Sequence, residues 1–158
     1  MDFPALLQDF ARSVQANDGP ALAALFTEDG IYDDGFFGPY QGRPAIAKML
    51  QHFHDGGRDY WWEFEAPVCD GANGYAQWRF SYASRLQGCE GTPVLFEGMS
   101  RFSLRDGRIA LYREMFDRGL ALSQLGFVPE RLARIVAKAA KAQNARPESG
   151  KHLARFSP

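Results

Sequence analysis

With 158 residues, the chain is long enough for one domain with a sizeable core, and a content of 46% hydrophobic and 14% aromatic residues can fill that core. A formal net charge of −1 gives no general attraction to nucleic acid or anionic lipid, so neither a nucleic acid nor a membrane is expected as a partner. No segment approaches the ~18 consecutive apolar residues of a membrane span, and the first residues lack the pattern of a secretory signal, which predicts a cytoplasmic protein.

Three short helices are predicted at the start of the chain. The first covers residues 4–16, the second begins at Pro20 and the third begins at Pro44. Their apolar faces consist of Phe3, Leu6, Leu7, Phe10 and Val14 in the first helix, Leu22, Leu25 and Phe26 in the second, and Ile46, Met49, Leu50 and Phe53 in the third. Between the second and third helices, GIYDDGFFGPY contains too many glycines for regular structure and is predicted to be a loop.

The pattern then changes to strands. Segments rich in β-branched and aromatic residues are separated by turn sequences such as DGAN and RDG. These segments are YWWEFEAPV, GYAQWRFSYASRL, TPVLFEGMSRFSLR and RIALYREMFDRG. Helices followed by hairpin-linked strands predict an α+β fold, in which the helices pack on one face of an antiparallel sheet. A curved sheet that closes over the helices would form a pocket.

A further amphipathic helix is predicted in FVPERLARIVAKAAKA, and the residues after it lack apolar periodicity. The predicted organisation is a domain over residues 1–128, a C-terminal helix over 129–142 and a flexible tail over 143–158. Cys69 and Cys89 have no CxxC spacing, so the sequence favours idle thiols over a disulfide or a metal site.

Two motifs resemble a known family. The segment ALFTEDGIYDD and the closing segment GRIALYREMFDRG are similar to the nuclear transport factor 2-like superfamily, in particular its SnoaL-like branch. The resemblance covers about residues 3–127 and implies a cone-shaped, strongly bent sheet that holds a mostly apolar cavity under the N-terminal helices. The fold includes ketosteroid isomerases, limonene-epoxide hydrolases, scytalone dehydratases, polyketide cyclases and modules that only bind or assemble, so it does not fix one activity.

The resemblance also implies two catalytic carboxylates. Asp34 lies where the isomerases carry the aspartate that abstracts a proton, and Asp33 is then expected to point outward or to cap the loop. Glu114 matches the aspartate that acts as general acid/base in the epoxide hydrolases, with Tyr112 in place of a tryptophan. A carboxyl in an apolar pocket has a raised pKa and is a better base at neutral pH. Two carboxyls at one cavity would push their titrations apart, giving one acid and one base.

Each carboxylate also has a purely structural explanation. Asp33 and Asp34 could stabilise a glycine-rich turn by accepting backbone hydrogen bonds. Glu114 could form an ion pair with neighbours of Arg113 or with Arg101 across a solvated face of the sheet.

The sequence departs from these relatives at other positions of the site. The helix tyrosine of the isomerases corresponds to Phe10, which is expected to face the cavity, and their protonated aspartic acid corresponds approximately to Ser100. Without these donors an enolate would be poorly stabilised, so steroid isomerisation is disfavoured. The arginine and aspartate of the epoxide hydrolases correspond to Arg79 and Ser81, so that set lacks its second acid.

The remaining predicted site residues are mainly aromatic. Period-two alternation allows either Trp78, Phe80 and Tyr82 or the intervening residues to face inward, and the tendency of aromatic side chains to be buried favours the aromatic set. The predicted substrate-binding residues are Tyr32, Tyr40, His54, Trp62, Trp78, Phe80, Tyr112 and Phe116. No metal is predicted, because the H-x-H motif that ends at His54 lacks a third ligand. No cofactor is predicted either.

Two functional hypotheses follow. The first is a cofactor-independent general acid/base enzyme of the isomerase, cyclase or hydrolase/dehydratase type that acts on a small, apolar, oxygenated organic molecule. The alternative is a ligand-binding or assembly module of the same fold without catalysis. A homodimer is expected in either case, because strands so rich in aromatics cannot easily bury all of them in one chain.

Overall fold

The helices and strands follow the predicted order over most of the chain. The structure is a computed structural model that describes residues 2–156. Its helices are α1 (Phe3–Gln15), α2 (Gly19–Ala24), α3 (Arg43–Asp55), α4 (Arg118–Ser123), α5 (Pro129–Asn144) and α6 (Pro147–Leu153). Its strands are β1 (Phe26–Asp34), β2 (Gly38–Gln41), β3 (Gly57–Cys69), β4 (Asn73–Ser84), β5 (Pro93–Arg105) and β6 (Arg108–Phe116). Among the described residues, no helix is both long and apolar enough to cross a membrane.

The strands form one curved sheet in the order β2-β1-β6-β5-β4-β3. Neighbouring strands are antiparallel except for β1 and β6, which run parallel with Tyr32 beside Tyr112 and Asp33 beside Arg113. The predicted α+β class is confirmed, and the sheet is mixed where a fully antiparallel one was expected. The parallel pair was missed because no strand was predicted before α3.

The segment predicted as a loop contains the second half of β1 and most of β2, so that prediction is wrong. Phe26, which was assigned to the second helix, is the first residue of β1. The glycines fit a strand here because Gly30 lies against the neighbouring strand, where a Cβ would come within 3.0 Å of the Ile109 carbonyl oxygen. Gly38, with φ +93°, allows the chain to turn from β1 into β2.

Helices α1 to α3 cover the concave face of the sheet. The inward residues of β4 are Trp78 and Phe80, which are buried, whereas Arg79 faces outward and forms ion pairs with Glu65 at 3.1 Å and Glu97 at 3.7 Å. The predicted inward aromatic face of β4 is therefore confirmed. A core of aromatic and aliphatic side chains fills the space between the helices and the sheet.

The C-terminal segment lies against the outer face of the sheet. Helix α6 was not predicted, because the residues around it lack apolar periodicity. Its Glu148 accepts a hydrogen bond from Arg113 at 3.0 Å, and Arg113 also donates to Asp33 at 2.7 Å. Arg146 lies 3.7 Å from the same Asp33 carboxylate. Charge pairing, which hydrophobic periodicity does not detect, therefore holds this segment. The division into a domain, a helix and a tail stays a prediction.

Candidate active site

Asp34 and Glu114 face the same cavity on the concave side of the sheet. The lining residues are Asp34, Phe36, Phe53, Trp62, Trp78, Phe80, Phe96, Glu114 and Phe116. The space open to the centre of a water molecule is about 20 Å³, which is enough for one ordered water. The lining side chains therefore pack closely and leave little empty space between them.

Asp34 ends β1 with its carboxyl turned inward and is 5% exposed. Its Oδ1 accepts backbone hydrogen bonds from Phe36 and Phe37, each at 2.7 Å. Burial raises the pKa of the Asp34 carboxyl, and the two N–H donors and the positive charge of Arg118 oppose that rise. Asp34 thus stabilises the turn, as the structural explanation required, and also presents a buried carboxyl to the cavity.

Glu114 is held by hydrogen bonds from its own strand β6, from β1 and from the turn that follows β1. Its Oε1 accepts from the Tyr112 hydroxyl at 3.0 Å and from the Tyr32 hydroxyl at 3.2 Å, and its Oε2 accepts from the Gly35 N–H at 3.0 Å. Burial, together with the nearby charge of Asp34, raises the pKa of Glu114 to about 8. The alternative ion pair with Arg101 is wrong, because Arg101 donates to Asn73 and faces outward from β5.

The two carboxyls have different surroundings, which assigns the proton. Asp34 receives two backbone N–H donors and lies near Arg118, and both favour its charged form. Burial beside Asp34 favours the protonated form of Glu114, whose pKa is raised to about 8. These surroundings suit Glu114 to the role of acid and Asp34 to the role of base.

A chain of polar side chains lies behind Glu114. Trp78 Nε1 donates to Ser100 Oγ at 2.8 Å, Ser100 Oγ donates to Tyr112 Oη at 2.9 Å, and Tyr112 Oη donates to Glu114. Burial raises the pKa of Tyr112 well above its ordinary value, so its hydroxyl stays protonated. This role of Ser100 was not predicted from the sequence, in which Ser100 marked only the place of a missing carboxyl.

The predicted substrate-binding residues separate into three groups. Trp62, Trp78, Phe80 and Phe116 line the cavity. Tyr32 and Tyr112 are buried behind it and bind Glu114.

Tyr40 and His54 lie outside the cavity lining. His54 Nε2 is 2.7 Å from the Val14 carbonyl oxygen and thereby links α3 to α1, and Tyr40 lies on the edge strand β2. Phe36, Phe53 and Phe96 line the cavity and were not predicted. The inward alternation of β5 could have indicated Phe96.

Phe10 belongs to the core and not to the cavity wall, so the expectation that it faces the cavity is wrong. Its ring is fully buried and packs against several other aromatic rings. These belong to Phe26, Tyr32, Trp62, Phe64, Phe102 and Tyr112.

One cavity-lining donor has no partner. The Trp62 side chain is 5% exposed, and its indole N–H forms no hydrogen bond with any described residue. A buried donor without a partner costs about 1–3 kcal/mol. A ligand oxygen that accepts from this N–H would remove that cost.

A larger cleft lies away from the carboxyl pair. It measures about 430 Å³ and opens to solvent between the loop after β4 and the start of α5. Its lining residues are Leu86, Gln87, Gly88, Cys89, Leu125, Gly126, Phe127, Val128 and Arg131. Because it contains no carboxyl group, proton transfer by an acid and base pair belongs to the smaller, aromatic cavity.

The curved mixed sheet and its roof of helices, together with the match of the sequence to a family model, define a protein of the nuclear transport factor 2-like superfamily. Within that superfamily the chain belongs to the SnoaL-like domain family, whose sequence model matches residues 7–112. The predicted family is thereby confirmed. No curated protein matches the sequence closely enough to count as a relative.

Solved structures share the fold at low sequence identity. A protein of ketosteroid isomerase-like fold from Catenulispora acidiphila, in complex with trimethylamine, has a TM-score of 0.72 at 17% identity, covering 79% of this chain and 95% of its own. An LEH-like epoxide hydrolase of M. tuberculosis has a TM-score of 0.63 at 21% identity, covering 77% and 86%. A candidate polyketide cyclase of Xanthomonas campestris has a TM-score of 0.64 at 23% identity, covering 77% and 95%. At these identities the similarity shows the fold alone.

Proposed function

We propose that this chain is a cofactor-independent enzyme that moves a proton at the carbon next to a carbonyl group of a small, largely apolar compound. The observation that carries the proposal is the pair of buried carboxyls, Asp34 and Glu114, at one cavity that is otherwise lined by aromatic side chains. Isomerisation, intramolecular aldol cyclisation and dehydration share this proton-transfer step.

The roles follow from the hydrogen bonds. Asp34 Oδ1 is occupied by two backbone donors, whereas Oδ2 accepts no hydrogen bond from the described residues and is free to take the α-proton. Glu114 then gives its proton to the carbonyl oxygen, so that a C–H bond breaks, an O–H bond forms and an enol results. In an isomerisation, Asp34 then gives its proton to a different carbon while Glu114 takes back the enol O–H proton and the C=O bond re-forms. In an aldol cyclisation, the enol carbon attacks a second carbonyl carbon, the oxygen of that carbonyl takes the proton from Asp34, and Glu114 takes back the enol O–H proton.

The structure disfavours the water-activating arrangement of the epoxide hydrolases. Arg79, the residue that matches their arginine, lies on the outer face of β4 in ion pairs with Glu65 and Glu97. It therefore cannot hold a water at the cavity. The unpartnered Trp62 N–H instead supports a substrate that carries an oxygen acceptor.

The small size of the cavity favours a second candidate function. A volume for one water does not hold an organic substrate, so substrate entry requires side chains such as Phe36 to move. The Phe36 ring packs against Phe96 and Phe116, both of which line the cavity. A chain in which these rings do not move would be an assembly or binding module without catalysis.

The experiment is hydrogen exchange on a defined ketone. The full chain is incubated with α-tetralone in D₂O, and loss of the α-proton signal is followed by ¹H NMR. Wild type should exchange the α-proton faster than buffer, Asp34→Asn should lose roughly 10²-fold or more of that rate, and Glu114→Gln should lose a similar factor.

Asp33→Asn is the matched control, because it changes the neighbouring carboxylate on the opposite face of β1 and should keep the wild-type rate. Exchange by wild type at the buffer rate, with this ketone and with 2-cyclohexenone, would support the non-catalytic module. Equal rates in Asp34→Asn and wild type would remove Asp34 as the base.

We also propose a cytoplasmic location. Cys69 and Cys89 are free thiols, as is usual in a reducing compartment. Fractionation of the native cells, with detection of the chain in the soluble extract, tests this location.

A further inference from the structure

The hydrogen-bond chain behind Glu114 has a fixed direction. An indole N–H donates and cannot accept, so Trp78 Nε1 must donate to Ser100 Oγ. Ser100 donates its single hydroxyl proton to Tyr112 Oη, and Tyr112 donates its single hydroxyl proton to Glu114 Oε1. Every proton in the chain therefore points toward Glu114.

This direction distinguishes the two oxygens of the Glu114 carboxyl. Oε1 accepts from Tyr112 and Tyr32, so both tyrosine protons occupy its lone pairs. Oε2 accepts only the Gly35 N–H and has room for the acid proton. Gly35 follows Asp34 directly, so Oε2 is the oxygen on the side of the second carboxyl.

We propose that Trp78 and Ser100 are positioning residues that keep the acid proton of Glu114 on Oε2, facing the reacting carbonyl, by fixing Tyr112 as a donor to Oε1. Without the Ser100 hydroxyl, Tyr112 can accept a proton from Oε1–H as readily as it donates one. The acid would then hold its proton but turn it away from the cavity. The proposal rests on the role of Glu114 as the acid in the proposed function.

The burial of the chain explains why its direction persists. Trp78, Ser100 and Tyr112 are each 2% exposed or less, so water does not compete for these hydrogen bonds. Gly98 faces Trp78 across the β4 and β5 pair, and a Cβ there would come within 2.6 Å of the Trp78 ring. A glycine at this position thus leaves room for the Trp78 ring, whose Nε1 donates to Ser100.

The charged and titratable groups around Glu114 are few. Asp34 and Tyr32 face it from β1, Tyr112 from β6, and Arg118 of α4 acts through Asp34 and through its hydrogen bond to the Gly35 carbonyl. Because none of these groups belongs to β4 or β5, Trp78 and Ser100 can be changed without altering the charge near Glu114.

The test uses infrared spectroscopy on the full chain without ligand. The C=O stretch of protonated Glu114 is assigned by its loss in Glu114→Gln and compared among wild type, Ser100→Ala, Ser100→Thr and Trp78→Phe. In wild type the carbonyl Oε1 accepts two O–H donors, which lowers its frequency. Ser100→Ala and Trp78→Phe should move the band to higher frequency, and Ser100→Thr should restore it because it retains a hydroxyl.

An unchanged band in folded Ser100→Ala and Trp78→Phe would overturn the proposal. In the α-tetralone assay, Ser100→Ala should lose about tenfold in rate, the equivalent of one hydrogen bond, and Ser100→Thr should recover most of that loss. An equal loss of rate in Ser100→Ala and Ser100→Thr would also overturn the proposal. Because the infrared measurement needs no turnover, failure of the proposed enzyme activity is distinguishable from failure of this proposal.

Discussion

At the scale of the residue, Glu114 makes stability depend on pH. Its pKa of about 8 in the folded chain lies above its ordinary value of 4.5, so between these values the folded state holds a proton that the unfolded state has lost. The free energy of unfolding should therefore fall as pH rises through this window, with a slope of up to about 1.4 kcal/mol per pH unit. The contribution is fully present below the lower value and lost above the upper one.

Urea unfolding of wild type and Glu114→Gln across this window checks the expectation. Glu114→Gln should flatten the fall and leave the effect of Asp34, which has the same sign because its pKa is also raised. Glu63→Gln, at an exposed position of β3, should leave the slope of wild type unchanged. Superimposable slopes for Glu114→Gln and wild type would show that the Glu114 carboxyl is solvated.

A second prediction at the residue scale concerns Trp62. Trp62→Phe retains an aromatic ring and removes the unpartnered N–H, so it should weaken binding of α-tetralone by roughly fivefold, about 1 kcal/mol. Binding of tetralin, which lacks the carbonyl oxygen, should not change. Trp61→Phe is the control, because the Trp61 side chain is 62% exposed on the other face of β3. Calorimetry measures both ligands, and equal weakening for both would indicate lost packing and not a lost hydrogen bond.

At the scale of the element, each of two neighbouring strands divides adjacent charged residues between the faces of the sheet. Asp33 and Arg113 face outward and bind each other, whereas Asp34 and Glu114 face the cavity. The C-terminal segment also contacts this outward ion pair, because Glu148 binds Arg113 and Arg146 lies near Asp33. Strand alternation thus keeps the structural charges away from the candidate acid and base.

The ion pairs predict a ranked effect on stability. Arg113→Gln should lower the free energy of unfolding by about 1–3 kcal/mol, because it leaves the largely buried Asp33 carboxylate without its hydrogen-bonded partner. Arg146→Gln removes a contact at 3.7 Å and should cost less than about 1 kcal/mol. Urea titrations of both variants measure this order. The reverse order would mean that Arg146, and not Arg113, is the main partner of the Asp33 charge.

The strands also show what could be predicted from the sequence. Period-two alternation left both faces of β4 open, and the tendency of aromatic side chains to be buried predicted the inward one. On β6 the resemblance, and not the alternation, indicated Glu114 as a site residue, as it indicated Asp34 on β1. Strand β1 was not predicted. Its glycine at position 30 allows β1 to lie close to β6, but in the sequence such a glycine looks like a loop residue when the neighbouring strand is unknown. Ser100 was missed for a similar reason, since its role depends on Trp78 and Tyr112 from two other strands.

At the scale of the whole molecule, the outer face of the sheet carries exposed apolar side chains. Trp61 and Leu95 both lie in register with Ser81, and Met99 pairs with Met115. Each of the four side chains is about half exposed or more. Arg79 lies between these two pairs of apolar side chains on the same face. It forms ion pairs with Glu65 and Glu97, and a second copy of the chain could match these charges. This face has the composition of an interface.

We therefore expect a two-fold homodimer through this face. Light scattering at micromolar concentration should give twice the mass of the chain, and Met115→Lys should give the monomer because it places a charge in the apolar row. Val136→Lys changes an exposed apolar residue of α5 and is the control, which should remain dimeric. A monomeric wild type would remove the outer face as an interface between copies.

The parallel pairing of β1 with β6 has a consequence for biosynthesis. Gly35 and Glu114 are separated by 79 residues, so the two halves of the site meet only after the ribosome has released most of the domain. Until β6 is available, β1 and β5 are each unpaired on one side, and such open edges invite association with other chains. The last strand to be synthesised therefore completes the acid and base pair and also covers the two open strand edges of β1 and β5.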